Sequence, residues 1–205
     1  IVNCIGYTNV ENCEINFDQA LKINADYASL ASRVSKKLNI KFVHISTDHL
    51  FNGKTINNDE KAKTNPLNNY AKTKLEGEKQ VLKFNEEALI IRTNFFGWGP
   101  IYKKSFSDYI ISSLENNTQI SLFSDVNYNP ILVSELAKAV NNLVDNNSKG
   151  VFNVVSSETI SKLDFGHLLA EEFNLDDNLI ESSMLSGRKE LVDRPLNMTL
   201  STKKL

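Results

Sequence analysis

Long apolar runs are missing from this chain, and none approaches the roughly 20 residues that a membrane-spanning helix needs. Cysteine is scarce: only Cys4 and Cys13 occur. Their spacing fits no zinc pattern, and nothing in the sequence resembles a secretory leader. Two reduced thiols in a cytoplasmic protein are expected. Histidine is equally sparse, and His44, His49 and His167 form no ligand cluster, so no metal site is expected. His44 falls inside an apolar run, where a satisfied core histidine is the expected role. Neither charge sign dominates: 23 basic residues face 25 acidic ones, and the pI is about 6.0. No basic stripe points to a nucleic acid polymer or an anionic membrane as a partner. Glycine is thin as well, with 8 residues, and none falls into a G-x-G-x-x-G phosphate-cradling turn. Initiator methionine is absent too; the chain opens on Ile1, and its first five residues already read as a buried strand.

What remains is ordinary globular material. Hydrophobic residues make up 41% of the 205 and charged residues 23%, which excludes collagenous, coiled-coil and wholly disordered chains. The length allows one domain, or one large domain with a small lobe. Segment 1–6 predicts a strand and 18–38 a long helix, with apolar residues at three- and four-residue spacing. Segment 41–47 (KFVHIST) is a strand of β-branched and aromatic residues. Segment 52–68 is a polar loop. Helix follows over 69–84, and then 88–93 (ALIIRT) is a nearly continuous apolar strand of the kind that parallel sheets bury on both faces. Beyond it come helix 105–114, strand 119–123, a helix from an N-cap at Ser134 to Val144, and strand 150–155. A helix capped by Ser161 runs to Phe173, and a last one begins at Leu200. Alternation of this kind is α/β with a mainly parallel sheet. The scattered asparagines read as compositional bias.

Two local patterns carry chemistry. Tyr70 and Lys74 stand four apart on the predicted helix and project from one face. An ammonium near a phenol stabilises the phenolate, and a tyrosine so tuned can give a proton to a ketone oxygen or take one back. Alone, the pair is also what a lysine-rich helix start looks like. Ser46, Thr47 and Asp48 end the KFVHIST strand, where ligands bind in open parallel sheets. A hydroxyl there can hold a substrate carbonyl near the tyrosine.

Together the segments resemble the extended short-chain dehydrogenase/reductase family, and within it the dTDP-4-dehydrorhamnose reductase group. Residues 3–14 (NCIGYTNVENCE) resemble its NAAAYTxVDxAE, and 23–25 (INA) its VNA. Residues 44–53 (HISTDHLFNG) resemble HISTDYVFDG, and 66–78 (PLNNYAKTKLEGE) resemble PxNxYGxTKLxGE. Residues 90–93 (IIRT) and 194–197 (RPLN) match the group's later segments.

The resemblance implies a Rossmann-type parallel sheet lacking its N-terminal βαβ part, with a small C-terminal substrate-binding lobe. Residues 1–98 would be the later half of the nucleotide-binding domain. Residues 99–205 would mix the lobe with segments returning to the sheet. It implies NADPH or NADH as cofactor, a nucleotide-sugar substrate and room for a homodimer. Tyr70 would be the general acid, Lys74 would lower its pKa and hold the nicotinamide ribose, and Thr47 would polarise the substrate carbonyl. Cys4, Ile5, Gly6, Tyr7, Ser46 and Thr93 would lie at the cofactor, with Asn24 supporting the site. Thr47, Asp48, Phe95 and Arg194 would meet the substrate.

Several positions depart from the group. His49 and Leu50 replace Tyr-Val, Phe95 stands where a tryptophan is usual, and the pattern DQxGxPT reads DVNYNPI over 125–131. These changes fall where the sugar would be read, so the particular sugar nucleotide stays open. The family's glycine-rich pyrophosphate turn is also absent. The nearest string, 97–102 (GWGPIY), places Pro100 where a backbone donor is wanted. The chain alone is therefore expected to hold a dinucleotide weakly. In the strand order 3-2-1-4-5-6, its first strand would be strand four, at an open edge. A sugar-nucleotide epimerase or dehydratase remains open, as does a regulatory subunit like methionine adenosyltransferase β.

Overall fold

Strand β1 (Val2–Asn3) starts the chain, and a helical run follows it: α1 (Val10–Ile15), α2 (Phe17–Leu21), a π-helical turn (Lys22–Asp26) and α3 (Tyr27–Lys37). The computed structural model describes residues 1–100, 102 and 104–205, so Ile101 of the GWGPIY string lies outside the described residues. Next come β2 (Val43–Ile45), the long helix α4 (Asn69–Phe84), β3 (Leu89–Arg92) and the short β4 (Phe95–Phe96). Helix α5 (Phe106–Glu115) leads into β5 (Ile120–Phe123), β6 (Asn127–Tyr128) and β7 (Ile131–Leu132). The chain continues through α6 (Val133–Asp145), β8 (Gly150–Asn153), β9 (Ile160–Ser161), α7 (Lys162–Glu172) and β10 (Ile180–Ser183).

The main sheet has the order β1-β2-β3-β8, and every pairing in it is parallel. Alternation along the strands sends side chains to two faces. Val43, Leu89 and Ile91 pack against Leu136, Val140 and Leu143 of α6. Phe42 and Ile90 pack the other way, against Ala28 of α3 and Val81 of α4. Helices thus cover both faces, which is why 88–91 are apolar throughout. Each fully buried Ile or Leu here contributes about 1.5–3 kcal/mol. The fold class is α/β, as the alternation predicts. A second core joins α5, β5, α7 and β10 around Ile110, Leu122, Phe165 and Ile180. β5 and β10 form their own parallel pair.

Several local expectations are corrected. The helix expected over 18–38 begins at Val10 and breaks at Asn16, where the backbone leaves the helical region (φ −123, ψ 60). Ser134 is not an N-cap: α6 starts at Val133 directly out of β7, with Leu132 at the cap and no side-chain bond there. Leu200 opens no helix. Its N–H donates to Asn129 Oδ1 at 3.0 Å, and Leu200 bridges in parallel to Asn58. Ser161 does cap α7, and its hydroxyl donates to Asp164 at 2.6 Å.

The asparagines prove to be more than bias. All five non-glycine residues with positive φ among the described residues are Asn: 39, 57, 117, 147 and 174. Four of them end helices α3, α5, α6 and α7. Beyond each, the next N–H reaches back five residues, as Ser148 N to Leu143 O at 2.9 Å. That is the Schellman arrangement, with Asn in the place that glycine usually takes.

Candidate active site

The end of β2 and the start of α4 meet at the carboxyl edge of the sheet. Asn68 caps α4, accepting from Ala71 N at 2.9 Å, and its amide donates to Asp193 O at 2.9 Å. The same residue therefore sets where Tyr70 emerges and ties down the segment carrying Arg194. Glu14 Oε1 accepts from Asn69 N at 2.8 Å and brings α1 to the same corner.

Tyr70 and Thr47 come together at this corner, near enough for the Thr47 hydroxyl to act on the phenol. Burial pushes the Tyr70 hydroxyl up to about 12, the Thr47 hydroxyl pulls it down, and the charge of Asp48 pushes it up further. This corrects the expected direction: Lys74 does not depress Tyr70 in this structure. Its buried Nζ donates instead to Ile45 O at 2.6 Å. Burial brings Lys74 down to about 8, with Glu78 and Cys4 opposing. Both groups have lost water, and each is held in its neutral form more strongly than in solution. Thr47 also donates to Asp48 Oδ1 at 3.2 Å and accepts from His49 N at 3.2 Å.

Three supports escaped the sequence reading. Ser46 does not face outward freely; its hydroxyl donates to Glu78 Oε1 at 2.5 Å. Glu78 in turn takes a forked contact from Arg92, Nε to Oε1 at 3.0 Å and Nη2 to Oε2 at 2.8 Å. Asn94 Nδ2 donates to Asp48 Oδ2 at 2.7 Å and fixes that carboxylate. No short-range pattern announces these pairs, because their partners lie on different elements.

Asn24 acts from the π-helical turn. Its Oδ1 accepts from Tyr7 N at 2.8 Å and its Nδ2 donates to Tyr7 O at 3.1 Å and to Thr73 Oγ1 at 3.0 Å. One side chain thus fixes the loop after β1. In that loop Cys4 and Ile5 are exposed and Gly6 and Tyr7 half-buried. Thr93, at the end of β3, is buried, and its hydroxyl has no partner.

On the other side of Tyr70 lies a cavity of about 310 Å³, lined by His49, Phe106, Tyr109, Lys162, Arg194 and Met198 among others. The His49 ring meets that of Tyr70 edge-on at 5.6 Å. Arg194 Nη2 bonds Glu11. Phe95 does not line this cavity; it is exposed on β4.

The model of the RmlD substrate binding domain matches residues 1–205. The chain belongs to that family. Among its relatives, a probable low-salt glycan biosynthesis reductase of Haloferax volcanii is 32% identical over 95% of this chain and 65% of its own length. The dTDP-4-dehydrorhamnose reductase of Mycobacterium tuberculosis is 26% identical over 86% of this chain and 60% of its own. The RmlD-family chain thus spans less than two thirds of these curated relatives. Among solved structures, dTDP-4-dehydrorhamnose reductase of Bacillus anthracis, in complex with NADP, superposes with a TM-score of 0.93 at 25% identity. It covers 100% of this chain and 72% of its own.

Proposed function

We propose that this chain carries the proton-donating and sugar-holding part of an NADPH- or NADH-dependent reductase of a nucleotide-linked 4-keto sugar. The substrate is dTDP-4-dehydrorhamnose and the product dTDP-rhamnose. The observation that carries this reading is the convergence of Tyr70, Thr47 and the buried Lys74 at the strand ends. Relatives named as reductases, and a structural neighbour holding NADP, support it.

The residues present fit the nicotinamide end of a dinucleotide. Thr93 keeps a buried, unpartnered hydroxyl at the end of β3, and Lys74 brings a desolvated ammonium to the end of β2. Those two, with Tyr70, Ser46 and the backbone of Cys4, Ile5, Gly6 and Tyr7, would hold it. When bound, the reduced nicotinamide supplies the hydride. Thr47 donates a hydrogen bond to the keto oxygen and orients it toward Tyr70. Tyr70, neutral at physiological pH, passes its phenolic proton to that oxygen as negative charge develops there. Lys74, whose Nζ donates to Ile45 O, would hold the nicotinamide ribose. Asp48, fixed by Asn94, and Arg194 hold the substrate.

The test is NADPH consumption with dTDP-4-dehydrorhamnose. The wild type oxidises one NADPH per sugar reduced, and Tyr70→Phe loses about 10²–10⁴-fold in rate. Product formed without net NADPH loss, or a Tyr70→Phe rate equal to wild type, would overturn the proposal.

A further inference from the structure

A satisfied core histidine uses both ring nitrogens, and His44 uses one. It lies fully buried in the middle of β2, and its register partner on β1 is Asn3. The two side chains meet at 3.0 Å, Asn3 Nδ2 against His44 Nδ1. Asn3 Oδ1 is already taken, because it accepts from Ile5 N at 3.2 Å. That bond fixes which end of the amide faces the ring, so Asn3 donates and His44 Nδ1 accepts. Burial, with the charge of Lys74, keeps the ring neutral. A neutral imidazole carries one proton, which then sits on Nε2. Nε2 is the buried nitrogen left without a partner. It faces Gly77 of α4, where an added Cβ would stand 3.4 Å away.

A buried N–H with no acceptor is destabilising, and an apolar side chain at position 44 would avoid it. The histidine is thus a poor choice for stability alone. What it supplies is an acceptor at the place that holds the Asn3 amide. The last torsion of an asparagine is broad and soft, so without that acceptor the amide is free to turn away from Ile5 N. The Asn3–Ile5 bond has the two-residue reach of an Asx-turn and stands where the chain leaves β1. Asn24 holds the other end of the same loop at Tyr7. Two amide side chains therefore clamp loop 4–7, one at Ile5 and one at Tyr7, and His44 backs the first.

We propose that His44 is a positioning residue, which through Asn3 sets the backbone of loop 4–7 for the dinucleotide that the loop would meet. The dinucleotide rests on the proposed function; the coupling of His44 to the loop does not.

Nitrogen NMR of the imidazole and amide hydrogen exchange, both on the whole chain, test the coupling. The ring should show Nδ1 bare and Nε2 protonated at neutral pH; a proton on Nδ1 overturns the proposal. His44→Leu should speed exchange at Ile5 N about fivefold to tenfold, the worth of one hydrogen bond. Tyr7 N, which Asn24 holds, should stay within about twofold. His44→Asn keeps an acceptor near the place of Nδ1 and should restore most of the protection. The double variant Asn3→Leu with His44→Leu removes both polar groups, so its urea midpoint should return to the wild-type value or pass it. Exchange at Ile5 N should stay fast in that variant. Recovery of both stability and protection would mean that the pair only holds the strands together, and it overturns the proposal. So does wild-type exchange at Ile5 N in His44→Leu. NADPH consumption is read separately. The double variant should raise KM for NADPH about fivefold with kcat within about twofold, and an unchanged KM overturns the cofactor half. A protein whose Ile5 N depends on His44 yet oxidises no NADPH keeps the positioning role and loses the reaction.

Discussion

Glu78 is the residue on which the inner wall of the site depends. It accepts from Ser46 and Arg92 while buried to 3% exposure, so its charge is fully committed. Replacing Glu78 by Gln strands the Arg92 guanidinium in the interior. The loss should be about 3–5 kcal/mol in urea unfolding. The double variant Glu78→Gln with Arg92→Met should recover part of it, because no unpaired charge is then buried. A Glu78→Gln protein as stable as wild type would show that water reaches Arg92. The contrast with Tyr70 explains what the sequence could convey. Tyr70 and Lys74 share one helix, and Thr47 ends the preceding strand, so spacing alone suggested a common crevice. Glu78 sits in the same helix, but its partner arrives from β3, and one-dimensional spacing carries no trace of that. The direction of the Tyr70 shift was misread for a similar reason. Burial is a tertiary quantity, and here it outweighs the neighbouring lysine, whose ammonium is turned to Ile45.

Elements in this chain are stopped by asparagine and brought close by glycine. Left-handed backbone costs an ordinary residue about 1–2 kcal/mol, which asparagine's short polar side chain eases and glycine escapes. Asn147 ends α6 at φ 52. Asn147→Ala should therefore cost about 1 kcal/mol in thermal or urea unfolding, while Asn147→Gly should cost nothing. An equal loss in both would point to the amide's own contacts instead. Gly77 illustrates close approach. A Cβ there would stand 2.3 Å from the Asn24 backbone oxygen, with backbone rather than a flexible tip in the way. Gly77→Ala should destabilise by about 1–3 kcal/mol. It should also speed hydrogen exchange at Tyr7 N, whose acceptor is Asn24. The π-helical turn that aims Asn24 was invisible in a pattern read at one fixed helical period. The helix stops were hidden because asparagine's role depends on the φ that its position imposes.

At the scale of the whole molecule, the buried titratable groups dictate how stability responds to pH. Burial, with the positive charge of Lys74, drives His44 down to about 3, from 6.5 in the unfolded chain, and His49 shifts the same way. Between those values the unfolded state binds more protons than the native state, so stability falls as pH drops below about 6.5. Each such group contributes a slope of up to about 1.4 kcal/mol per pH unit. The alkaline limb has two opposing sets. Lys74 and Lys162 are lowered to about 8, from 10.5, so above pH 8 the unfolded chain holds the extra protons and stability rises. Cys13 is raised from 9.0 to about 11, Tyr70 from 10.0 to about 12, and Tyr128 is also raised; for these the native state holds the extra protons. Their contribution is complete below the unfolded values and drains away above pH 9 to 10. The two lysines outweigh Cys13 alone, but not Cys13 with both tyrosines. Urea midpoints should therefore climb from pH 8 to a maximum near 10 and fall beyond it. His44→Gln should flatten the acid limb, since it removes a buried histidine that takes up its proton on unfolding while leaving an amide to face Asn3. An acid limb of unchanged steepness in that variant would place the proton uptake elsewhere, and a stability maximum at neutral pH would mean that the two lysines are solvated far more than their positions at the strand ends and cavity floor require.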